Sequence, residues 1–436
     1  MIGKKGRTAV AASIVAAIGF GCSGGPGKQP AEGSEASKAP EPVTLKMYTL
    51  AKSFSEADFK RLVTEPVRKK YPHISIELME EPNDSTGAGL EKFIVAGNVP
   101  DLIYANTQNI GSYSRDLQVA LDLNGPVKQY QFRLDRLSPE ALDSIRSYGK
   151  NGELYGIPFS TNGAALYYNK DIFDKFGVPY PKDGSTWEDI LELGKRVGRT
   201  EGGVEYKPLG LASFTHLATS LSLPYIDAKT NKAAFGTDGW TRVAQTYKAI
   251  KELPNNKYKG GNDDLFMSKQ ELAMYATYDN VLLFLEELNR SGKALDWDIA
   301  SYPNFKEKPG AGLGFDAKVL LVSSKTKHVR EALQVIESMT SDDVQMAVTR
   351  SGRISSLNDP KFKENFGKDL QSLQGKNVAA LFKNVQAFKP PVTKEVNAVS
   401  KFMGEAAADI EAGKDINTAL RQAEEKANKA LEALGH

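Results

Sequence analysis

The sequence holds a single cysteine, Cys22, so neither a disulfide framework nor a cysteine-based zinc site can form. Histidine is nearly as scarce. His73, His216, His328 and His436 are scattered, with no pair at i, i+3 or i+4, which argues against a histidine metal site. An excess of one charge is missing too. The 56 Lys and Arg stand against 54 Asp and Glu, a balance of +2 that leaves no electrostatic footprint for nucleic acid. No P-loop, no G-x-G-x-x-G, no HExxH and no Cys–His pair occurs. Gly87 and Gly89, and Gly310, Gly312 and Gly314, lack the third spaced glycine of a dinucleotide fingerprint. Carboxylates are plentiful, but nothing singles out a catalytic pair. What is present is ordinary for a folded chain: 41% hydrophobic and 25% charged residues exclude wholesale disorder. A length of 436 residues implies two or three domains, or one large two-lobed unit.

The first forty residues differ from the rest. Lys4, Lys5 and Arg7 precede a mostly apolar run over residues 8–20. That run is shorter than the roughly 20 residues a spanning helix needs, and it is read as a secretion signal. It ends in Gly19-Phe20-Gly21-Cys22, which resembles the lipobox of bacterial lipoproteins, where the signal is cut before the cysteine and the thiol is lipidated. Cys22 is therefore the expected lipidation site, and 1–21 the signal. Residues 23–42 contain no aromatic or β-branched residue and are rich in Gly, Pro, Ser, Ala and Glu. Such a stretch cannot bury enough surface to fold, and 20 flexible residues reach on the order of 25 Å. The segment 22–42 is expected to be a lipid-anchored tether. Gly21-Cys22-Ser23-Gly24-Gly25 fits the G-x-S-x-G hydrolase elbow, but it lacks the strand and helix that motif needs. Three of the cations lie in 1–21, so the remainder carries one cation fewer than its carboxylates.

From Val43 the pattern becomes that of alternating strands and helices. Residues 43–48 alternate like a strand, Ser55 opens a helix carrying Phe59, Leu62, Val63 and Val67, and residues 73–80 alternate again. That helix should stop at Tyr71, before Pro72. A further helix over 89–97 and a short strand over 100–105 complete a βαβ series, which implies a mostly parallel sheet. Ligands in such sheets sit beyond the carboxyl ends of the strands, here the loops 49–54, 82–86 and 106–110. Ser185 with Glu188 has the form of a capping box, residues 272–278 and 317–322 have the form of strands, and 324–338 of a helix. Behind Asp415, Ile416, Leu420, Ala423, Ala427, Leu431 and Leu434 keep helical spacing.

One ordered series is specific. Gly152-Glu153-Leu154-Tyr155-Gly156-Ile157-Pro158-Phe159 is followed by Leu166-Tyr167-Tyr168-Asn169-Lys170-Asp171-Ile172-Phe173, then Phe176-Gly177-Val178-Pro179 and Thr186-Trp187-Glu188-Asp189. The series resembles the family-1 extracellular solute-binding proteins of ABC importers, whose best-known members bind maltodextrins and other oligosaccharides. Pro100-Asp101-Leu102-Ile103, Leu272-Ala273-Met274-Tyr275 and the segment 298–303 match the family in order, so the likeness covers 43–436. It implies an α/β, two-lobed periplasmic-binding-protein-like fold of type II. Two mixed, mostly parallel sheets would be flanked by helices and joined by a hinge. The lobes are expected at 43–158 plus 317–353 and at 159–316 plus 354–436. The resemblance also implies no catalytic residues, no cofactor and no metal. The partners it implies are a small-molecule ligand in the cleft, the membrane subunits of a permease and the membrane itself through the anchor. The protein would be a monomer on the outer face of the cytoplasmic membrane.

Three crossings between lobes are implied, near 158–162, 313–317 and 353–358. They place Ser160, Thr161 and Asn162 on the first, Phe315 and Asp316 on the second, and Arg353 on the third, where a guanidinium can grip a carboxylate. Asn106 and Thr107 follow a parallel strand. After the strand that Leu272-Ala273-Met274-Tyr275 match, many sugar-binding members carry a stacking tryptophan. Here the segment reads Ala276-Thr277-Tyr278-Asp279-Asn280, so Tyr278 is the stacking candidate beside Asp279, and room is left for a charged or modified saccharide. Trp187, Trp240 and Trp297 are read as core or helix-anchoring residues, and Tyr167-Tyr168 as core rather than as an iron-binding tyrosine pair. The leading expectation is a lipid-anchored receptor that captures an oligosaccharide by hinge closure and delivers it to an importer. A receptor for a non-sugar solute and an accessory protein presenting ligand to a membrane sensor are the alternatives.

Overall fold

The computed structural model describes residues 40–435 apart from 82, 85, 212 and 294. The expected signal, most of the expected tether, Cys22 and the elbow-like glycines lie outside the described residues. Residues 42–436 form one compact unit. Among the described residues, no helix is long and apolar enough to cross a membrane.

Among the described residues, thirteen strands build the framework. The first four are β1 Val43–Thr49, β2 Ile74–Glu80, β3 Leu102–Asn106 and β4 Ile157–Thr161. Next come β5 Ala164–Asn169, β6 Arg199–Glu201, β7 Val204–Leu211, β8 Leu272–Tyr278 and β9 Trp297–Ser301. The last are β10 Ala311–Gly314, β11 Ala317–Val322, β12 Ile354–Ser355 and β13 Val385–Ala387. One lobe is built on the sheet β12-β4-β11-β3-β1-β2, the other on β6-β7-β8-β5-β9, with β10 and β13 paired alongside. β1 runs parallel to β2 and β3, and β7 to β8, but β11 is antiparallel to β3 and β4, and β5 to β8 and β9. The sheets are mixed, with fewer parallel ladders than the βαβ opening implies. The chain returns to each sheet from the other lobe, so the returning strands enter from the cleft end and run backwards.

Each lobe has its own core. Leu45, Met47, Ile103, Phe159, Val319 and Leu321 belong to the first; Leu166, Trp187, Trp240, Met274 and Ala427 belong to the second. A third cluster around Tyr167, Phe266 and Trp297 lies on the other face of the second sheet. β4 and β5 are buried along their whole length, which is why they carry no polar alternation.

Local details depart from expectation for identifiable reasons. The helix begun by Ser55, whose hydroxyl accepts from Asp58 N–H, does reach Lys70, but Lys60–Thr64 is a π-turn. Pro66 has no N–H to return to the preceding turn, and Glu65 N–H bonds five residues back, to Lys60 O. The capping box lies one residue later than expected. Thr186 caps Trp187–Val197 and Asp189 closes the box. Ser185 is instead engaged by Lys182 and Asn304, and Glu188 pairs with Arg242. The helix expected from 324 starts at Val329, because Ser324 N–H bonds Val119 O and Thr326 bonds Asp101, which holds that turn open. The final helix, Ile416–Glu432, is capped by Asp415 as expected.

The boundary positions 158/159 and 353/354 fall inside the first lobe. β4 continues to Thr161, Ile354 and Ser355 pair with Thr161 and Ser160, and Leu357 and Phe362 join the first core. The first crossing is therefore Asn162–Gly163. A Cβ on Gly163 would come within 2.7 Å of Ile354 Cδ1, so any larger residue there must push that side chain aside. The second crossing is Phe315–Asp316, between β10 and β11.

Candidate functional site

The first two crossings are tied together at one point. Thr107, just beyond β3, donates from Oγ1 to Asp316 Oδ1 at 2.5 Å, and Asn162 N–H donates to Asp316 O at 3.1 Å. Asp316 also accepts from Ala317 N–H at 2.9 Å, and Lys389 Nζ stands 4.0 Å from its second oxygen. Phe315 is buried, its N–H on Ala387 O. Tyr278, at the end of β8, donates its hydroxyl to Gly314 O at 3.1 Å. Asp279 N–H bonds Gly163 O at 2.9 Å. Burial pushes the Asp279 carboxyl up to about 7, although Gly163 N–H works the other way.

The expected residues Thr107, Asn162, Tyr278, Asp279, Phe315 and Asp316 thus meet in one region. The other four meet in a second. On β11, Lys318 pairs with Asn106 of β3 and Ser160 of β4, so the three side chains share a face. Lys318 Nζ donates to Asn106 Oδ1 at 2.6 Å, and Ser160 hydrogen-bonds Tyr104. Arg353 reaches Asp58 at 3.4 Å. Burial would raise the Asp58 carboxyl, but Arg61 and Arg353 hold it below the usual range. Thr161 is buried in β4 and offers mainly its backbone. Above this floor Phe54 packs on Tyr104, with ring centroids 4.7 Å apart.

The loops beyond β1–β3 surround these groups. Asp84 organises the second of them, accepting from Tyr48 Oη, Thr86, Gly87 N–H and Gly89 N–H. Burial opposes these bonds, yet they bring its carboxyl down to about 2.

A cavity of about 290 Å³ opens beside Asp316. The first lobe contributes Gln108; the second contributes Tyr278, Tyr225, His216, Lys389, Asn397 and Ser400. His216 meets Tyr278 edge to face, centroids 5.2 Å apart. Burial, with the Lys389 charge, lowers His216 to about 4, so the imidazole is neutral at pH 7, and its Nδ1 has no hydrogen-bond partner among the described residues. The polar lining is two phenol rings, a neutral imidazole, amides and hydroxyls, with the Lys389 ammonium and the Asp316 carboxylate at its edge. Such surfaces pair ring faces with C–H groups and planar polar groups with hydroxyls. All three tryptophans are fully or almost fully buried in the cores, as are Tyr167 and Tyr168.

Lys318, Lys389, Gln108, His216, Tyr225 and Asn397 stand here without having been expected from the sequence. Only Lys318 carried a signal, a lone cation in the apolar run AKVLLV. The Thr107–Asp316 bond yields a direct prediction. Thr107→Val removes a donor to a shielded carboxylate and should cost about 2 kcal/mol of unfolding free energy. Urea denaturation of the two proteins measures it; a loss below about 0.5 kcal/mol would mean the bond does not tie the crossings together.

Among known proteins, the profile of the bacterial extracellular solute-binding protein family matches residues 52–346. The chain is 24% identical over 323 residues to a multiple sugar-binding protein of Streptococcus mutans serotype c, covering 70% of this chain and 73% of that one. It is 25% identical over 291 residues to an arabinooligosaccharide-binding protein of Bacillus subtilis, covering 62% and 63%. In fold it is similar to an ABC substrate-binding protein from Listeria monocytogenes solved in complex with cycloalternan. The TM-score is 0.71 at 18% identity, over 90% of this chain and 100% of that one. With its paired lobes and its cavity at their crossings, the chain belongs to the bacterial extracellular solute-binding protein family and is a binding protein, not an enzyme.

Proposed function

We propose that this protein captures an oligosaccharide between its lobes and delivers it to the membrane subunits of an ABC importer. The observation that carries the reading is the cavity at the second crossing. It draws Gln108 from one lobe and Tyr278, Tyr225 and Asn397 from the other, so a bound solute bridges the lobes and favours their approach. The sugar-binding relatives support the saccharide class. Lipidation at Cys22 would tether the receptor, as a monomer, to the outer face of the membrane, with 23–42 giving it reach.

The test is thermal unfolding of residues 42–436 against a panel of neutral and acidic oligosaccharides. A ligand at 100 times its Kd stabilises by about 2.7 kcal/mol. One saccharide class should raise the melting temperature, and Tyr278→Ala should abolish most of that rise. Stabilisation by peptides or organic ions, with none by any saccharide, would favour a non-sugar receptor and overturn the saccharide reading.

A further inference from the structure

The cleft end of the first sheet holds a cation whose hydrogen-bond partner is a neutral amide. Lys318 sits in the interior of β11, between β3 and β4. Its ammonium donates to a neutral amide oxygen, Asn106 Oδ1, at 2.6 Å. Among the described residues no carboxylate lies within ion-pair distance of it. Its burial disfavours the charged form, Asp316 opposes that effect at longer range, and the Arg353 guanidinium adds to it. A shielded lysine is costly unless an anion answers it.

Arg353 has an ion-pair partner, but a shared one. Its carboxylate partner, Asp58, stands 3.4 Å away and is held more closely by Arg61, at 3.0 Å. Asp316 already takes the Thr107 hydroxyl and Ala317 N–H. The acidic loop beyond β2 is committed elsewhere, Glu81 to Lys92 and Asp84 to its own turn. Two cations therefore converge on a face that also presents Ser160, Asn106 and the Tyr104 ring. The tryptophans, the strongest stacking surfaces for neutral sugars, are all in the cores.

We propose that the cleft takes an anionic solute, a saccharide or sugar-like polyol bearing a carboxylate or phosphate, with Lys318 and Arg353 holding the anion. This rests on the reading of the cleft as the ligand site. The guanidinium can take two oxygens of the anion, and the ammonium a third. Supplying the missing charge on arrival makes ligand binding relieve a cost already present in the empty protein.

Thermal unfolding in inorganic phosphate, with chloride at matched ionic strength as control, tests the anion site without reference to the sugar. A saturable rise in melting temperature specific to phosphate is expected, and it should vanish in Lys318→Met. Arg353→Gln should weaken phosphate binding at least ten-fold, a second check should the first variant fold poorly. Titration calorimetry with glucuronate, glucose 6-phosphate and glucose separates the two anion sources. One acidic sugar should bind at least ten-fold tighter than glucose, and Lys318→Met should bring it down to the glucose level. No phosphate-specific rise, or an equal rise in Lys318→Met, overturns the anion site. If neutral oligosaccharides then still stabilise the protein, the receptor reading survives alone. If phosphate binds through Lys318 and no sugar of either kind does, the anion site stands and the saccharide reading falls.

Discussion

Trp240→Ala should lower the unfolding free energy by about 4 kcal/mol, in the range found for removing a large buried aromatic. Trp240 has no exposed surface. Its ring stacks on Phe214 at 6.2 Å and meets Tyr225 at 5.3 Å and Phe235 at 5.7 Å. Its indole N–H donates to Pro224 O at 3.1 Å, an acceptor that would be left without that donor. The cluster also supports the cavity wall, because Phe214 opens the helix that carries His216, and Tyr225 lines the cavity itself. A weaker affinity should therefore accompany the lost stability. The pattern differs from that of a tryptophan stacking on ligand, whose removal costs much affinity and little stability. Urea denaturation of both proteins decides it. A loss below about 1 kcal/mol would place the indole outside the core.

The second large effect is a dependence on pH. Asp279 is buried, and its carboxyl is raised from the ordinary 3.8 to about 7. A carboxylate with a raised folded-state pKa binds its proton more tightly in the native protein than in the unfolded chain. Its contribution to stability is complete below about 4 and is lost as pH rises through 7. Three pH units correspond to about 4 kcal/mol. Asp279→Asn keeps the shape and removes the titration. The stability difference between variant and native protein should therefore move by up to about 4 kcal/mol in favour of the variant between pH 4 and pH 8. The Tyr167 hydroxyl, buried and without a hydrogen-bond partner among the described residues, also feels the Asp279 charge and stays protonated throughout. Midpoints of urea denaturation at pH 4, 6 and 8 measure the difference. Parallel curves for the two proteins would show that Asp279 is ionised at low cost.

These effects also mark what the sequence makes legible. Alternation in residues 43–48 and the apolar runs 272–278 and 317–322 correspond to β1, β8 and β11, since burial on one or both faces leaves a local pattern. The loops beyond β1–β3 follow from the strand–helix–strand order alone. The pairs that build the site leave no such pattern. Thr107 meets Asp316 across 209 residues, Lys318 meets Asn106 across 212, and Arg353 meets Asp58 across 295. Nothing periodic links such positions; the crossings and the pairing of distant strands bring them together. Small local shifts have the same origin. The one-residue move of the cap from Ser185 to Thr186 follows from Asn304, far along the chain. The lining from Lys389 to Ser400 comes from a loop and helix whose sequence carries no binding motif.

The central claim is that one solute binds where the crossings meet and touches both lobes. Hydrogen–deuterium exchange of the protein, with and without the saccharide giving the largest thermal shift, tests it most directly. Protection should appear in 106–109 and 160–163 from the first lobe, and in 214–220, 278–282 and 389–400 from the second. Protection confined to one lobe, or centred on the outer groove around Tyr130 and Arg330, would contradict it.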